Sequence, residues 1–137
     1  MAIRYALACW ADLTGSGKQR VYRYLTLKGH SGSSMRTMIK WDRPDSYDRN
    51  PMVIARDGDK IVGWSIESND GEVWAFVMAK YRRKGIGRPL VKMVAKETSG
   101  KSIHVCNHDD LSRAFWTALG CPDSPIYGGE IGKEKLT

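Results

Sequence analysis

Two glycines stand one residue apart in the basic segment YRRKGIGRPL, residues 81–90. Arginine and lysine supply positive charge, and a glycine lets the backbone approach a bound group because it has no Cβ atom. Together these residue types indicate a turn that binds an anion through backbone N–H groups, helped by the positive end of a following helix. The anion could be a nucleoside triphosphate, the phosphates of a cofactor, or nucleic acid.

Two nucleotide-binding motifs do not fit the glycines of this chain. A G-x-x-x-x-G-K-[ST] loop around GSGK, residues 15–18, would need glycine at position 12 and a hydroxyl residue at position 19, where Asp12 and Gln19 stand. The dinucleotide motif G-x-G-x-x-G would need a third glycine at Leu90. The pyrophosphate of another cofactor therefore fits the turn at 81–90 better.

The positive charge of the chain is concentrated in two segments. The net charge is +7, with seven Lys or Arg against one acid in residues 1–40 and seven against none in residues 80–96. A generic basic coat is therefore not what the sequence shows, and no known nucleic-acid motif accompanies the two segments. Nucleic acid is the less favoured partner.

Composition indicates one ordinary globular domain. Apolar residues make up 42% and charged residues 27% of the 137 residues, which predicts a single domain over residues 1–137. The longest apolar run, VWAFVMA, has seven residues, fewer than the ~20 that a membrane helix needs. The cysteines, Cys9, Cys106 and Cys121, are widely spaced, so we expect no metal site, no disulfide and a cytoplasmic location.

Hydrophobic periodicity and turn residues predict the elements that position this turn. The predicted strands lie at 3–13, three times within 51–79, at 101–107 and at 126–136, and the predicted helices at 15–30, 35–41, 83–97 and 109–120. The order β-α-α-β-β-β-α-β-α-β indicates an α/β fold with a mixed sheet and helices on both sides. The turn then joins a strand to a helix, the arrangement that suits a pyrophosphate.

The turn and its context resemble the GNAT family of N-acetyltransferases. Arg82-Arg83-Lys84-Gly85-Ile86-Gly87 matches the family signature [QR]-x-x-G-x-[GA] position by position, and NHDDLSRAFWTALGC, residues 107–121, resembles the family's fourth helix. The resemblance covers residues 51–121 and, more loosely, the first 50. It implies a GNAT-like fold in which two central parallel strands, 72–79 and 102–107, splay apart to form a cleft for acetyl-CoA.

The resemblance also implies which residues contact acetyl-CoA, the acetyl donor. Backbone groups of Phe76 and Val77 would bind the acetyl and pantetheine part, and the N–H groups of the turn would bind the pyrophosphate. Asp109 falls where the family often has an asparagine that touches the cofactor. The implied cofactor-binding residues are Phe76, Val77, Arg82, Arg83, Lys84, Gly85, Ile86, Gly87, Arg88 and Asp109.

Acetyl transfer to an amine requires proton transfer, because an ordinary lysine amine has a pKa near ~10.4 and must attack in its neutral form. The resemblance suggests His104, Glu72 and His108 as candidate catalytic residues. Against catalysis, His104 alternates with Ile103 and Val105, a pattern that favours a buried structural histidine. Trp116 stands where many family members have a proton-donating tyrosine, and we expect it to pack rather than react.

The acceptor implied by the resemblance is a primary amine, and the basic first segment favours a protein with an acidic surface over a small molecule. A solvated helix face explains the same charges equally well. Because Trp116 replaces the tyrosine, the alternative is a non-catalytic relative that binds CoA or a partner protein. A basic nucleic-acid-binding domain is less favoured, and the sequence leaves the oligomeric state open, a homodimer included.

Overall fold

The computed structural model describes residues 2–27, 50–69, 71–105, 110–122 and 129–137. The helix predicted at 35–41 lies outside these residues. Three helices are described in the remainder, and they are α1 (Gly15–Leu27), α2 (Gly87–Lys96) and α3 (Asp110–Ala118).

Six strands form one sheet whose spatial order equals the chain order. They are β1 (Ile3–Ala8), β2 (Met52–Asp57), β3 (Lys60–Glu67), β4 (Glu72–Val77), β5 (Ser102–Val105) and β6 (Gly129–Gly132). All neighbours pair antiparallel except β4 and β5, which pair parallel. The predicted mixed sheet of an α/β fold is confirmed, and so are the hairpin turns at Gly58 and Gly71, whose φ angles are +62° and +83°.

Several predicted boundaries are wrong for local reasons. The last strand, predicted over 126–136, ends at Gly132, because Lys133–Leu136 form a 3-10 helix. The first strand ends at Ala8 rather than at residue 13, because Trp10–Asp12 turn into a short 3-10 helix. The strand before the basic turn ends at Val77, and Ala79–Tyr81 form another 3-10 helix. The helix predicted from residue 83 begins at Gly87, since positive φ angles between those positions are incompatible with a right-handed helix.

The two faces of the sheet carry separate apolar clusters. On one face, α2 buries Leu90, Val91, Val94 and Ala95 against inward-facing strand residues such as Val73, Val105 and Ile131. On the other face, Val21 of α1 and Trp10 cover a cluster that includes Trp64 and Trp74. Each fully buried aliphatic side chain contributes about 1.5–3 kcal/mol relative to exposure, so α2 is tied firmly to the sheet.

β4 and β5 pair parallel. Glu72 pairs with His104 and Val73 with Val105, where the described part of β5 ends, and β4 continues to Val77. Within the described residues, the part of β4 beyond Val73 therefore pairs with β3 alone. The splayed cleft of the GNAT-like fold is expected beside the carboxyl-terminal half of β4, and we call it the β4–β5 opening.

Candidate functional site

The backbone of the signature turn, residues 82–88, alternates in hand. Arg82 is extended, Arg83 has a φ of +62° and Gly85 a φ of +77°, and α2 begins at Gly87. Such alternation directs successive N–H groups toward one point and forms an anion-binding nest. The left-handed conformation costs an arginine about 1 kcal/mol. Contacts with the surrounding structure must therefore hold Arg83 in this conformation.

The two glycines of the turn meet different requirements. A Cβ on Gly85 would find no described atom within 4 Å, so the backbone there is open to a ligand, and its positive φ favours glycine. A Cβ on Gly87 would lie 2.5 Å from a ring carbon of Phe115. Gly87 therefore lets α3 pack closely against the start of α2, a role that the sequence did not reveal.

The amino terminus of α2 faces the turn with its donors available. Ile86 occupies the N-cap position without a side-chain cap in the described structure, and the first turn contains no acidic residue. The first N–H groups of a helix lack intrahelical partners and carry the positive end of its dipole, so an anion is favoured there. Ile86 itself is buried and anchors the turn to the core.

The basic side chains of the turn divide into two groups. Arg82 is half-buried, donates from Nε to the Val77 carbonyl at 2.9 Å and lies 5.6 Å over the Phe76 ring. It therefore clamps the turn to the end of β4. Arg83 and Lys84 are exposed at the tip of the turn, where their charges can attract an anionic ligand.

The ladder between β3 and β4 decides which backbone groups face the opening. Ser68 N–H donates to Glu72 O at 2.7 Å and Met78 N–H donates to Val62 O at 2.8 Å, so the alternation places Phe76 in a hydrogen-bonded position facing β3. Backbone groups of Ala75 and Val77 point the other way. Of the two residues implied for the acetyl and pantetheine part, only Val77 thus presents its backbone to the opening.

Three polar residues form a row across the neighbouring strands. Glu72 of β4 is opposite His104 of β5, which is opposite Glu130 of β6, and directly opposed side chains share one face of a sheet. Ser102 donates from Oγ to Glu130 Oε1, which holds that carboxylate at the edge of the row. We call Glu72, His104 and Glu130 the polar row.

His104 is exposed, so the interpretation of this residue as a buried structural histidine is wrong. Its neighbours Ile103 and Val105 point to the opposite, α2-covered face and are buried there. The alternation was read correctly as a strand, but one face of this strand carries polar residues. His104 is therefore accessible to solvent in the described structure.

Trp116 is 4% exposed and belongs to the core beneath α2. Its ring meets that of Phe115 edge to face, with centroids 4.8 Å apart. The expectation that Trp116 packs is confirmed. His108 and Asp109, together with Cys106, lie outside the described residues, so their predicted roles stay predictions.

Aromatic residues line the same face as the polar row. Trp64 stacks against Phe76 at 6.0 Å, and Trp74 follows Glu72 by two positions on β4. Both indole N–H groups are buried without a hydrogen-bond acceptor among the residues that the structure describes. Buried donors without an acceptor carry a desolvation cost.

Tyr81 is tied to a distant strand just before the signature turn. Its hydroxyl donates to Asp57 Oδ2 at 2.8 Å, and this hydrogen bond is the main cause that raises the pKa of Tyr81 above 10.0. The sequence suggested only a packing role for Tyr81, and nothing in the spacing of the two residues signals the contact.

In the described part of the chain, no group of three or more His, Cys, Asp or Glu residues could hold a metal ion. No described helix is long and apolar enough to cross a membrane.

A protein-family model matches this chain. The model of the acetyltransferase (GNAT) domain matches residues 17–121, which is most of the chain. The chain belongs to the GNAT family. The family uses acetyl-CoA, and the matched range contains the signature turn, both strands of the opening and α3.

Solved structures share the GNAT fold at low sequence identity. A structure described as an acetyltransferase of the GNAT family from Desulfovibrio desulfuricans is 12% identical with a TM-score of 0.69, over 96% of this chain and 99% of that one. YncA from Salmonella typhimurium, solved with its cofactor acetyl-CoA, is 12% identical with a TM-score of 0.57, over 97% and 95%. The AtaT Y144F mutant toxin, bound to the C-terminus of the antitoxin AtaR, is 10% identical with a TM-score of 0.56, over 99% and 95%. Curated protein sequences give no match.

These comparisons support an acetyltransferase of the GNAT family and confirm the predicted fold. Because the neighbours are far less than 25% identical, they establish the fold alone.

Proposed function

We propose that this protein is an N-acetyltransferase that transfers the acetyl group of acetyl-CoA to a primary amine. The observation that carries the proposal is the signature turn, which combines alternating backbone hand, open space at Gly85 and a helix start without a side-chain cap. A pyrophosphate fits these features because its charge matches the convergent N–H groups and no Cβ occupies the space at Gly85.

The donor would be held mainly by backbone groups. The N–H groups from Arg83 to Arg88 would bind the pyrophosphate. The exposed side chains of Arg83 and Lys84 would add positive charge. Backbone groups of Ala75 and Val77 would line the opening and hold the pantetheine arm. Arg82 would keep β4 and the turn in a fixed relation through its bond to the Val77 carbonyl. When bound, acetyl-CoA supplies the activated thioester.

The polar row would manage the protons of the acceptor. His104 is exposed beside the opening, and neutral imidazole can remove a proton from an ammonium group near physiological pH. Glu72 and Glu130 flank it in the strand register, and their negative charges would attract the cationic acceptor. Glu72 is an alternative base, and His108 and Asp109 remain candidates on the following segment.

We infer that the acceptor is a protein amine in preference to a small molecule, as the basic first segment predicts. Of its cations, Arg20 donates to the Ile61 carbonyl at 2.8 Å, so part of its capacity stabilises the fold rather than the acceptor. The acceptor preference therefore rests on the remaining basic residues, chiefly Lys18 among those described. The cytoplasmic location stays a prediction.

A second function has one observation in its favour. Trp116 stands where many relatives have a tyrosine that donates a proton, and its buried indole cannot act as that acid. This residue is therefore consistent with a protein that binds CoA or a partner without catalysis. AtaT was solved with the C-terminus of an antitoxin and KacTA with DNA, so partner binding occurs among proteins of this fold. Nucleic-acid binding is the less favoured variant.

Calorimetric titration with acetyl-CoA, CoA, ATP and duplex DNA tests the donor site. We expect both CoA species to bind, and ATP and DNA not to bind. At a ligand concentration a hundredfold above Kd, binding should stabilise the folded protein by about 2.7 kcal/mol, which raises its melting temperature. Absence of binding by both CoA species would refute the proposal.

Gly85→Glu with the matched control Gly100→Glu locates the site. Both glycines have positive φ and open surroundings, at +77° and +83°, so the strain of substitution is the same. Only Gly85→Glu places a negative charge beside the pyrophosphate, and we expect at least about a 100-fold loss of affinity. Equal affinities of the two variants would exclude the turn as the cradle.

Mass spectrometry of acetylated products separates an enzyme from a binding module. Lysine peptides, intact proteins and small amines are each incubated with acetyl-CoA and the protein. Acetylation well above a control without enzyme supports catalysis. Binding of acetyl-CoA without transfer to any amine would favour the second function.

A further inference from the structure

The hydroxyl of Tyr81 contacts the end of β2. Tyr81 ends the short 3-10 helix Ala79–Tyr81, directly before the signature turn, and Asp57 ends β2 at the β2–β3 hairpin. The hydrogen bond of 2.8 Å between them joins residues 24 positions apart. It is therefore a tertiary contact between the hairpin and the entry to the turn.

Charged groups from three parts of the chain surround Tyr81. The Nζ atoms of Lys60 on the hairpin and Lys84 on the turn lie 5.9 Å and 5.7 Å from its ring centroid. Arg20 of α1 also acts on the Tyr81 hydroxyl electrostatically. Cation–π contacts at partly exposed sites are individually weak, so the hydrogen bond to Asp57 is the directional contact.

The signature turn depends on such anchors because its own residues make few packing contacts. Arg83 is in a left-handed conformation, and Gly85 is surrounded by open space in the described structure. Buried Ile86 holds the far side of the turn, and the bond from Arg82 to Val77 holds the near side to β4. Tyr81 adds a third anchor, which directs the chain away from β4 toward the hairpin.

We propose that Asp57 and Tyr81, the latch, are positioning residues that keep the signature turn in its ligand-binding conformation. The inference rests on the proposed function for its ligand, acetyl-CoA. A turn that visits other conformations binds with an affinity reduced by the fraction of time spent in the competent one. The latch raises that fraction without touching the ligand.

Four variants test the latch. Tyr81→Phe and Asp57→Ala remove the donor or the acceptor, whereas Asp57→Asn keeps an oxygen that can accept the bond. Tyr5→Phe is the control, since it removes a half-buried phenol on β1 that is not part of the latch. In calorimetric titration we expect acetyl-CoA to bind about 3- to 10-fold more weakly to Tyr81→Phe and Asp57→Ala, and nearly as in the unmodified protein to the other two.

Two further readouts distinguish positioning from general destabilisation. Without ligand, the amides of residues 82–88 should exchange hydrogen faster in Tyr81→Phe and Asp57→Ala, whereas the amides of α2 should not change. In the acetylation assay, KM for acetyl-CoA should rise with kcat unchanged.

The outcomes separate the two proposals. If the unmodified protein does not bind acetyl-CoA, the proposed function fails, while hydrogen exchange of the turn still decides the latch. If exchange of residues 82–88 in Tyr81→Phe equals that of Tyr5→Phe, the latch is refuted. If Asp57→Asn behaves like Asp57→Ala, the hydrogen bond is not what holds the turn, and the latch is likewise refuted.

Discussion

The two sides of the β4–β5 opening are built in different ways. The signature turn comes from one continuous stretch, residues 82–88, and presents backbone N–H groups. The polar row takes one residue from each of three strands and presents side chains. A backbone site needs only the correct conformation, whereas a side-chain site needs the correct residue types at three separate positions.

This difference explains why a fold can be shared while chemistry varies. Glycine, positive φ and a helix start are enough to define an anion cradle, and they recur as a short motif. The polar row leaves no comparable motif, because strand register rather than chain spacing brings its members together. Substitutions can therefore alter one side at a time, or the packing that both sides share.

The largest effect is expected from the polar row. His104→Ala should lower kcat about 100-fold or more, because general base catalysis contributes roughly 10²–10⁴-fold, while Kd for acetyl-CoA stays unchanged. Lys101→Ala, an exposed change just before β5, is the control. Full activity of His104→Ala would remove the polar row from catalysis, and weakened acetyl-CoA binding would show that the two sides are not independent.

Truncation of the shared core should affect stability next. Trp116→Ala should lower the free energy of unfolding by about 3–5 kcal/mol in a denaturant titration, because the indole is buried beneath α2. Thr117→Ala, its exposed neighbour on α3, should change it by less than about 0.5 kcal/mol. Similar stabilities for the two variants would contradict the packing role of Trp116.

The two glycines of the turn should differ in the cause of their sensitivity. Gly87→Ala should cost about 1–3 kcal/mol of stability, since its Cβ would collide with the Phe115 ring. Adding Phe115→Leu should recover part of that loss, but should not recover the loss from Gly85→Ala, which is caused by backbone strain at positive φ. Equal recovery in both backgrounds would disprove this distinction.

The smallest effect is the pH dependence of the latch. The hydrogen bond to Asp57 raises the pKa of Tyr81 above its ordinary value of 10.0, so its stabilising contribution is fully present below pH 10 and is lost as pH rises through the raised value. The stability difference between the unmodified protein and Tyr81→Phe, measured by thermal unfolding, should be constant at neutral pH and decrease as the pH rises through the raised pKa. A difference that persists into strong alkali would mean that the bond does not depend on the phenol proton.

Features of the chain that depend on short stretches were predicted well. The signature turn, the hairpins at Gly58 and Gly71 and the mixed sheet follow from residue types and periodicity. The start of α2 was misplaced, because Arg83 adopts a conformation that arginine rarely takes and that no local propensity indicates. The predicted burial of His104 was wrong for a related reason. Alternation defines the two faces of a strand but does not show which of them is buried.

The sequence by itself determined the family and the strand–turn–helix around Gly85. These depend on contiguous residues whose spacing survives without knowledge of the fold. Only the tertiary structure decided that Gly87 makes room for Phe115, that Tyr81 is held by Asp57 and that Glu72, His104 and Glu130 share a face. Those contacts join residues far apart in the chain, and strand register and helix packing, which place them together, are properties of the whole fold.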